Sequence, residues 1–181
     1  MSLSGLKSIS WVRTGDIKTN PFSIEVEESL LMSDIYWTCD PFDQLTSNQL
    51  YSILQLRTEI FVMEQNCVYQ DMDDLDQNAY HVKGTQDKDL ICYGRLLAPG
   101  VKYTEPAIGR VICAADKRRD GLGSELMKNA IRYCEELWPG QGIRISAQHH
   151  LEKFYELFGF SCVSDPYMED GIPHIEMLRS K

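Results

Sequence analysis

From Ile108 the chain reads Ile-Gly-Arg-Val-Ile-Cys, then Ala-Ala-Asp-Lys, then Arg-Arg-Asp-Gly-Leu-Gly-Ser, ending at Ser124. The first six residues suit a strand and the last few open a helix. Gly121 and Gly123 let the backbone approach a ligand closely. The first-turn N–H groups of a helix beginning at Leu122 have no intrahelical acceptor, and the helix dipole favours an anion beside them. Lys117, Arg118 and Arg119 concentrate positive charge there, in a chain of formal net charge −9. A diphosphate fits this chemistry, provided Asp120 turns its carboxylate to solvent. On the two glycines alone, a plain strand-to-helix turn with solvated basic residues stands equal. No Gly-Lys-Ser/Thr ends the loop, which excludes a P-loop, and Gly-x-Gly-x-x-Gly is incomplete.

A second cluster is Phe154-Tyr155-Glu156-Leu157-Phe158-Gly159-Phe160. Phe154 and Phe158, spaced i and i+4, read as aromatic packing on a short helix. Tyr155 adds a phenol with an ordinary pKa of about 10. Glu64, His81 and His174 are candidate bases, because a neutral imidazole, or a carboxylate through water, can take a proton from an ammonium group. Each also has a structural reading. Asp71, Asp73, Asp74 and Asp76 crowd one stretch, read first as a solvated loop and second as a rim that attracts cations. A calcium loop is the third reading, behind both, since it lacks the glycine at its sixth position and the glutamate at its twelfth. His149-His150 has no third ligand nearby, and the six cysteines contain no Cys-x-x-Cys pair, so no metal is expected. The cysteines read as reduced thiols.

The elements that must carry these groups form a mixed α/β pattern within 181 residues, enough for one domain. Strands are expected at 35–39, 80–84, 90–97, 107–113, 143–147, 160–163 and 174–178. A helix capped by Thr46 or Ser47 runs to about Phe61, with Leu50, Ile53, Leu54 and Arg57 at helical spacing. Another covers 122–137 with an apolar stripe of Leu126, Met127, Ala130, Ile131 and Cys134, and a short one covers 151–158. Residues 1–33 read as an extension, with one short strand at Ser23–Glu27. The negative charge opposes phosphate backbones and argues against nucleic-acid binding, while drawing in a cationic acceptor. No apolar run approaches the ~20 residues of a membrane span. No secretory signal is read at the N-terminus, so the expected location is cytoplasmic.

Arg118-x-x-Gly121-x-Gly123 resembles the Gln/Arg-x-x-Gly-x-Gly/Ala acetyl-CoA signature of the GNAT superfamily of N-acetyltransferases. Tyr155-x-x-x-Gly159-Phe160 resembles its second signature. Position 119, often Gly there, is Arg, and position 113, often Val, is Cys; neither change removes a backbone donor. Three further stretches resemble the ElaA-like branch: Arg57-x-x-Ile60-Phe61-Val62-x-Glu64-Gln65-x-Cys67-x-Tyr69-x-Asp71-x-Asp73, Ala147-Gln148-x-His150-Leu151-x-x-Phe154-Tyr155, and Glu169 to His174. The match spans about residues 35–178.

The resemblance implies a GNAT domain at 34–181, with a central, mostly antiparallel mixed sheet flanked by helices on both faces. It implies acetyl-CoA as cosubstrate along the 107–113 strand. Backbone groups of Val111 and Cys113 would hold the pantetheine arm. Arg118, Arg119, Asp120, Gly121, Leu122, Gly123 and Ser124 would surround the pyrophosphate, with Gln148 also at the coenzyme. A primary amine, on a small molecule or a peptide, would attack the thioester directly. Tyr155 would protonate the departing thiolate, and Glu64, His81 or His174 would act as base. A homodimer is left open. The rival reading is a silent acyl-CoA-binding or interaction module. An acyl-homoserine-lactone synthase is a third, without evident acceptor motifs.

Overall fold

The computed structural model describes residues 34–118 and 121–181. The strand expected at Ser23–Glu27 lies outside the described residues.

Thr46 opens the first helix with a reciprocal cap: its hydroxyl accepts from the Gln49 N–H, and the Gln49 side chain accepts from the Thr46 N–H. Helix α1 covers Ser47–Arg57 and buries Ile53, Leu56 and Arg57. The expected end at Phe61 is overrun, because Thr58–Glu64 continues as a wider π-helical segment that buries Ile60. Strand β1 (Tyr36–Pro41) lies against β2 (Ala79–Gln86), and β2 against β3 (Asp89–Leu97). Asp87 and Lys88 join β2 to β3 with φ values of 51° and 77°. A two-residue hairpin turn of type I′ requires positive φ at both positions.

Strand β4 (Ala107–Cys113) leads to α2 (Leu122–Leu137), which returns through β5 (Ile143–Gln148). A 3₁₀ turn at His149–Leu151 runs into the short α3 (Glu152–Glu156). β6 (Phe160–Cys162), β7 (Tyr167–Glu169) and β8 (Ile172–Arg179) complete one sheet of order β1-β2-β3-β4-β5-β8-β6, with β7 also paired to β8. Every pairing is antiparallel except β4 with β5. Strand β7 was not expected from its own residues. It forms through a tight turn at Asp170 and Gly171, both at positive φ.

The α2 stripe buries as expected. Leu122, Leu126, Met127, Ala130, Ile131 and Cys134 meet Val82, Cys92, Leu96 and Ile108 on one face of the sheet. On a separate core, Ile53, Leu56 and Ile60 pack against Tyr93 and Ile112. Successive strand residues face opposite sides, so Cys92 looks toward α2 and Tyr93 toward α1. Helices therefore flank both faces. Among the described residues no helix is long and apolar enough to cross a membrane.

The aspartate-rich stretch corrects the solvated-loop reading. Arg57, fully buried, donates from Nε to Asp71 (2.6 Å) and from Nη1 to Asp76 (2.7 Å). Arg95 from β3 takes Asp73 through both Nη atoms at 2.6 Å and Asp76 at 2.8 Å. Arg110 from β4 reaches Asp71 (2.7 Å) and Asp73 (3.3 Å). Three guanidiniums balance three carboxylates, and only Asp74 of the four stays outside the cluster. Such charges are tolerable inside a protein only when paired and hydrogen-bonded.

Burial alone would raise the Asp76 carboxyl, but Arg57 and Arg95 more than offset it and hold it below the usual range. Asp73 is likewise lowered to about 2 against its own desolvation, chiefly by Arg95. A carboxyl depressed in the fold stabilises the fold above its ordinary pKa, and that contribution disappears as the pH falls through the folded value. Unfolding stability should therefore decline from about pH 4 down to about 2. Removing one partner of a buried pair typically costs about 3–5 kcal/mol. Denaturant melts at neutral pH should show Asp76→Asn destabilised by that order, whereas Asp74→Asn should lie within about 0.5 kcal/mol of the parent. Equal stability of Asp76→Asn and the parent would contradict the cluster's role.

Candidate active site

β4 and β5 start side by side and then separate. Their only register pair is Ala107 with Arg144, extended by the Arg144 N–H to the Pro106 carbonyl at 2.9 Å. Beyond it β5 is committed to β8 along its whole length. On its other side β4 skips register against β3 between Tyr93 and Arg95, with Arg110 at φ 54°. An extra residue in one strand bends it and breaks the ladder locally. The consequence is a cleft between the diverging ends of β4 and β5.

The main chain of β4 faces this cleft. The Ala114 N–H donates to the Ile91 carbonyl at 2.8 Å, which makes Cys92 and Cys113 a non-hydrogen-bonded pair. The N–H and C=O of Cys113 therefore point away from β3. Alternation directs those of Val111 the same way. Arg118 confirms the direction at Cys113, donating from Nε to its carbonyl at 3.3 Å. At the end of the loop Gly121 takes φ 89° and caps α2, a left-handed conformation that favours glycine. Leu122 is a core side chain, 1% exposed, so it can offer a ligand only its N–H. A Cβ on Gly123 would meet just the Phe154 ring at an ordinary 3.7 Å. Nothing in the chain itself demands glycine there. Ser124 sits in the same first turn. Arg119 and Asp120 lie outside the described residues.

Two cavities meet in the cleft. One, about 460 Å³, lies between β4, the start of α2 and α3, and is lined by Cys113, Arg118, Leu122, Gly123 and Phe154. The other, about 170 Å³, lies between β4, β5 and the β7–β8 turn, and is lined by Tyr69, Tyr103, Ser146, Glu169 and His174. Val111, Gln148, Leu151, Gln65 and Tyr155 line both. Gln148 Nε2 approaches Gln65 Oε1 at 3.4 Å across the junction.

Tyr155 is held there by edge-to-face contacts with Phe154 (5.1 Å) and Phe160 (6.2 Å). It is 8% exposed, and burial pushes its phenol up to about 12. It is protonated at neutral pH and is a donor. In the smaller cavity, His174 lies stacked on Tyr167 with its Nδ1 2.9 Å from the Ile172 carbonyl. A carbonyl only accepts, so Nδ1 carries a hydrogen, and the tautomer set by this bond has its lone pair on Nε2. Ser146 Oγ donates to Glu169 at 2.8 Å and stands 2.6 Å from the Tyr167 hydroxyl. No spacing in the sequence brought these three together; they converge only because β7 folds back on β8.

The other two candidate bases stand differently. Glu64 lines the larger cavity and is gripped by Arg118 through both oxygens, at 2.8 and 2.9 Å. His81 is corrected to a structural position. It is fully buried on the α1 face, outside both cavities. Its Nε2 donates to the Asp76 carbonyl (3.1 Å), and its Nδ1 accepts from the Tyr93 hydroxyl (2.9 Å). Burial holds the ring neutral by lowering its pKa, and the lone pair a base would use is already taken.

Residues 46–181 match the acetyltransferase (GNAT) domain family. Protein ElaA of Escherichia coli K12 is 41% identical over 147 residues, covering 80% of this chain and 96% of that protein. The crystal structure of E. coli ElaA superposes with a TM-score of 0.76 at 39% identity, over 81% of this chain and all of the other. An acyl-CoA N-acyltransferase from Pseudomonas aeruginosa superposes with a TM-score of 0.78 at 42% identity, over the same shares.

The Glu64–Arg118 pair occupies the guanidinium that an anion in the larger cavity would use. Exposed ion pairs are worth about 0–1 kcal/mol. Glu64→Gln should therefore tighten binding of inorganic pyrophosphate by up to roughly fivefold in calorimetric titration. Weaker binding by the variant would show that Glu64 positions Arg118 rather than competing for it.

Proposed function

This chain belongs to the GNAT acetyltransferase family, and on that premise we propose that it moves an acetyl group from acetyl-CoA to a primary amine by direct attack. The observation that carries the reading is the junction of the two cavities at Tyr155. The larger cavity combines exposed β4 main-chain groups with a helix N-terminus and Arg118, donors that suit a pantetheine amide arm and a diphosphate. The freedom at Gly123 fits too, since a ligand against that backbone would explain a glycine that the chain does not need. Val111 and Cys113 would hold the arm. Arg118, Gly121, Leu122, Gly123 and Ser124 would hold the diphosphate, with Gln148 at the junction. Arg119 and Asp120 are carried by the signature alone. The coenzyme supplies an activated thioester carbonyl.

The chain's own residues do the rest. The smaller cavity takes the amine, with Glu169 and Asp170 on its wall favouring the cationic form in which an amine arrives. His174 Nε2 removes its proton, being the one candidate base with an open lone pair in that cavity. Tyr155, protonated and in reach of both cavities, returns a proton to the departing thiolate. The reading places the enzyme in a reducing, cytoplasmic setting, where its cysteines act as thiols.

Coenzyme A should raise the melting temperature of the protein, because a ligand that binds only the folded state stabilises it by mass action. Tyr155→Phe should keep that shift and lose turnover by about 10²–10⁴-fold with an amine found by panel screening. A variant with more than about half the parental turnover would reject Tyr155 as the acid. No thermal shift at millimolar coenzyme A would reject the coenzyme site itself.

A further inference from the structure

Cys92 on β3 and Cys113 at the end of β4 are directly opposed, with their sulfurs 3.1 Å apart. Theirs is the non-hydrogen-bonded kind of antiparallel pair, in which Cα atoms come within about 4.5 Å and side chains crowd most closely. That separation lies inside the range a disulfide spans, and an S–S bond of about 2.05 Å needs the sulfurs to close by only ~1 Å. The two thiols differ in access. Cys113 is half-buried and lines the larger cavity, whereas Cys92 is 0% exposed behind it. Arg118 stands over the accessible one, bonded to its carbonyl.

We propose that Cys113 and Cys92 form an oxidative modification site in which peroxide attacks from the coenzyme cavity and the buried thiol closes a disulfide. In the first step the Cys113 thiolate displaces hydroxide from hydrogen peroxide and becomes a sulfenic acid. In the second, the Cys92 sulfur attacks Cys113 Sγ, a new S–S bond forms, and the sulfenic oxygen leaves as water. Each peroxide consumes two thiols and yields two waters.

The other cysteines lack this arrangement. Burial pushes Cys39 and Cys134 up to about 12, which keeps them as unreactive thiols. Cys67 and Cys162 donate their S–H to backbone carbonyls of Asp170 and Ser164. Cys113 by contrast is lowered, first by its contact with Cys92 and then, against desolvation, by Arg118.

Closing the bond needs only the side chains to turn, and it pulls the Cys113 sulfur from the wall of the larger cavity toward β3. Weaker coenzyme binding is the consequence, and this consequence alone rests on the function proposed above.

The test treats the reduced protein with hydrogen peroxide and maps the peptides by mass spectrometry. The expected product links the Cys92 and Cys113 peptides with loss of about 2 Da, and a dithiol reductant reverses it. In Cys92→Ala, Cys113 should instead proceed to the sulfinic acid, about 32 Da heavier. In Cys113→Ser no linked peptide should form. A parental protein that accumulates sulfinic acid at Cys113, or that crosslinks other cysteines, overturns the site. The linked protein should also bind coenzyme A measurably more weakly than the reduced one, since the cavity wall loses the packing contacts of the Cys113 side chain. Equal affinity of linked and reduced forms overturns the effect on the coenzyme. Failure of the reduced protein to bind coenzyme A counts against the proposed function, while the crosslink is judged by the peptide map alone.

Discussion

Three buried or half-buried guanidiniums, Arg57, Arg95 and Arg110, converge on Asp71, Asp73 and Asp76, and the geometry of the site follows from that neutral cluster. It joins the end of α1, the middle of β3, the bulge of β4 and an otherwise irregular loop. Its parts are interdependent because a lone charge left at such depth is far more costly than the pair is beneficial. Arg110 is the informative member. It adopts φ 54° at the bulge, a strained conformation for a residue with a Cβ. Both its ion pairs and its position over the Phe61 ring at 5.7 Å hold it there. The cluster thus fixes the bulge.

From the bulge follows the separation of β4 from β5, and from that separation the cleft. An ordinary parallel pair would have used the Val111 and Cys113 main-chain groups in its ladder. Here those groups point into a cavity that continues to the N-terminal turn of α2. The same divergence makes room for Tyr155 at the boundary between two chambers of different character. One is lined by main chain and an arginine; the other carries the acidic Glu169 and Asp170 and the open face of His174. A fold that only needed stability would have closed this gap with side chains. The aromatic contacts of Tyr155 instead anchor its ring in the lining shared by both cavities.

Much of this was legible in the residues. The α2 stripe, the Thr46 cap and the extent of the 107–113 strand are local matters, set by periodicity and by side-chain capping. The ionic cluster was not legible, because its partners lie 14 to 39 residues apart. The one local hint was Arg57 on the apolar spacing of α1: an arginine bound for the core must find carboxylates, and the crowded aspartates were the nearest supply. His81 misled for a related reason. A histidine at the start of a strand can face a cavity or a core, and only the neighbouring Tyr93 and the Asp76 carbonyl decide. Strand β7 and the Ser146–Tyr167–Glu169 contacts were not legible either: Asp170-Gly171 signals the chain reversal, but the three residues of Tyr167–Glu169 are too few to show an alternating pattern.

Under the proposed function, the open edge of β4 and the first turn of α2 act as one coenzyme-binding surface. Hydrogen–deuterium exchange at single-residue resolution, with and without coenzyme A, addresses it directly. Exchange should slow at the amides of Val111, Cys113, Leu122, Gly123 and Ser124, while those of α1 stay unchanged. Unchanged exchange at these amides while coenzyme A is demonstrably bound, or protection confined to another part of the sheet, would contradict it.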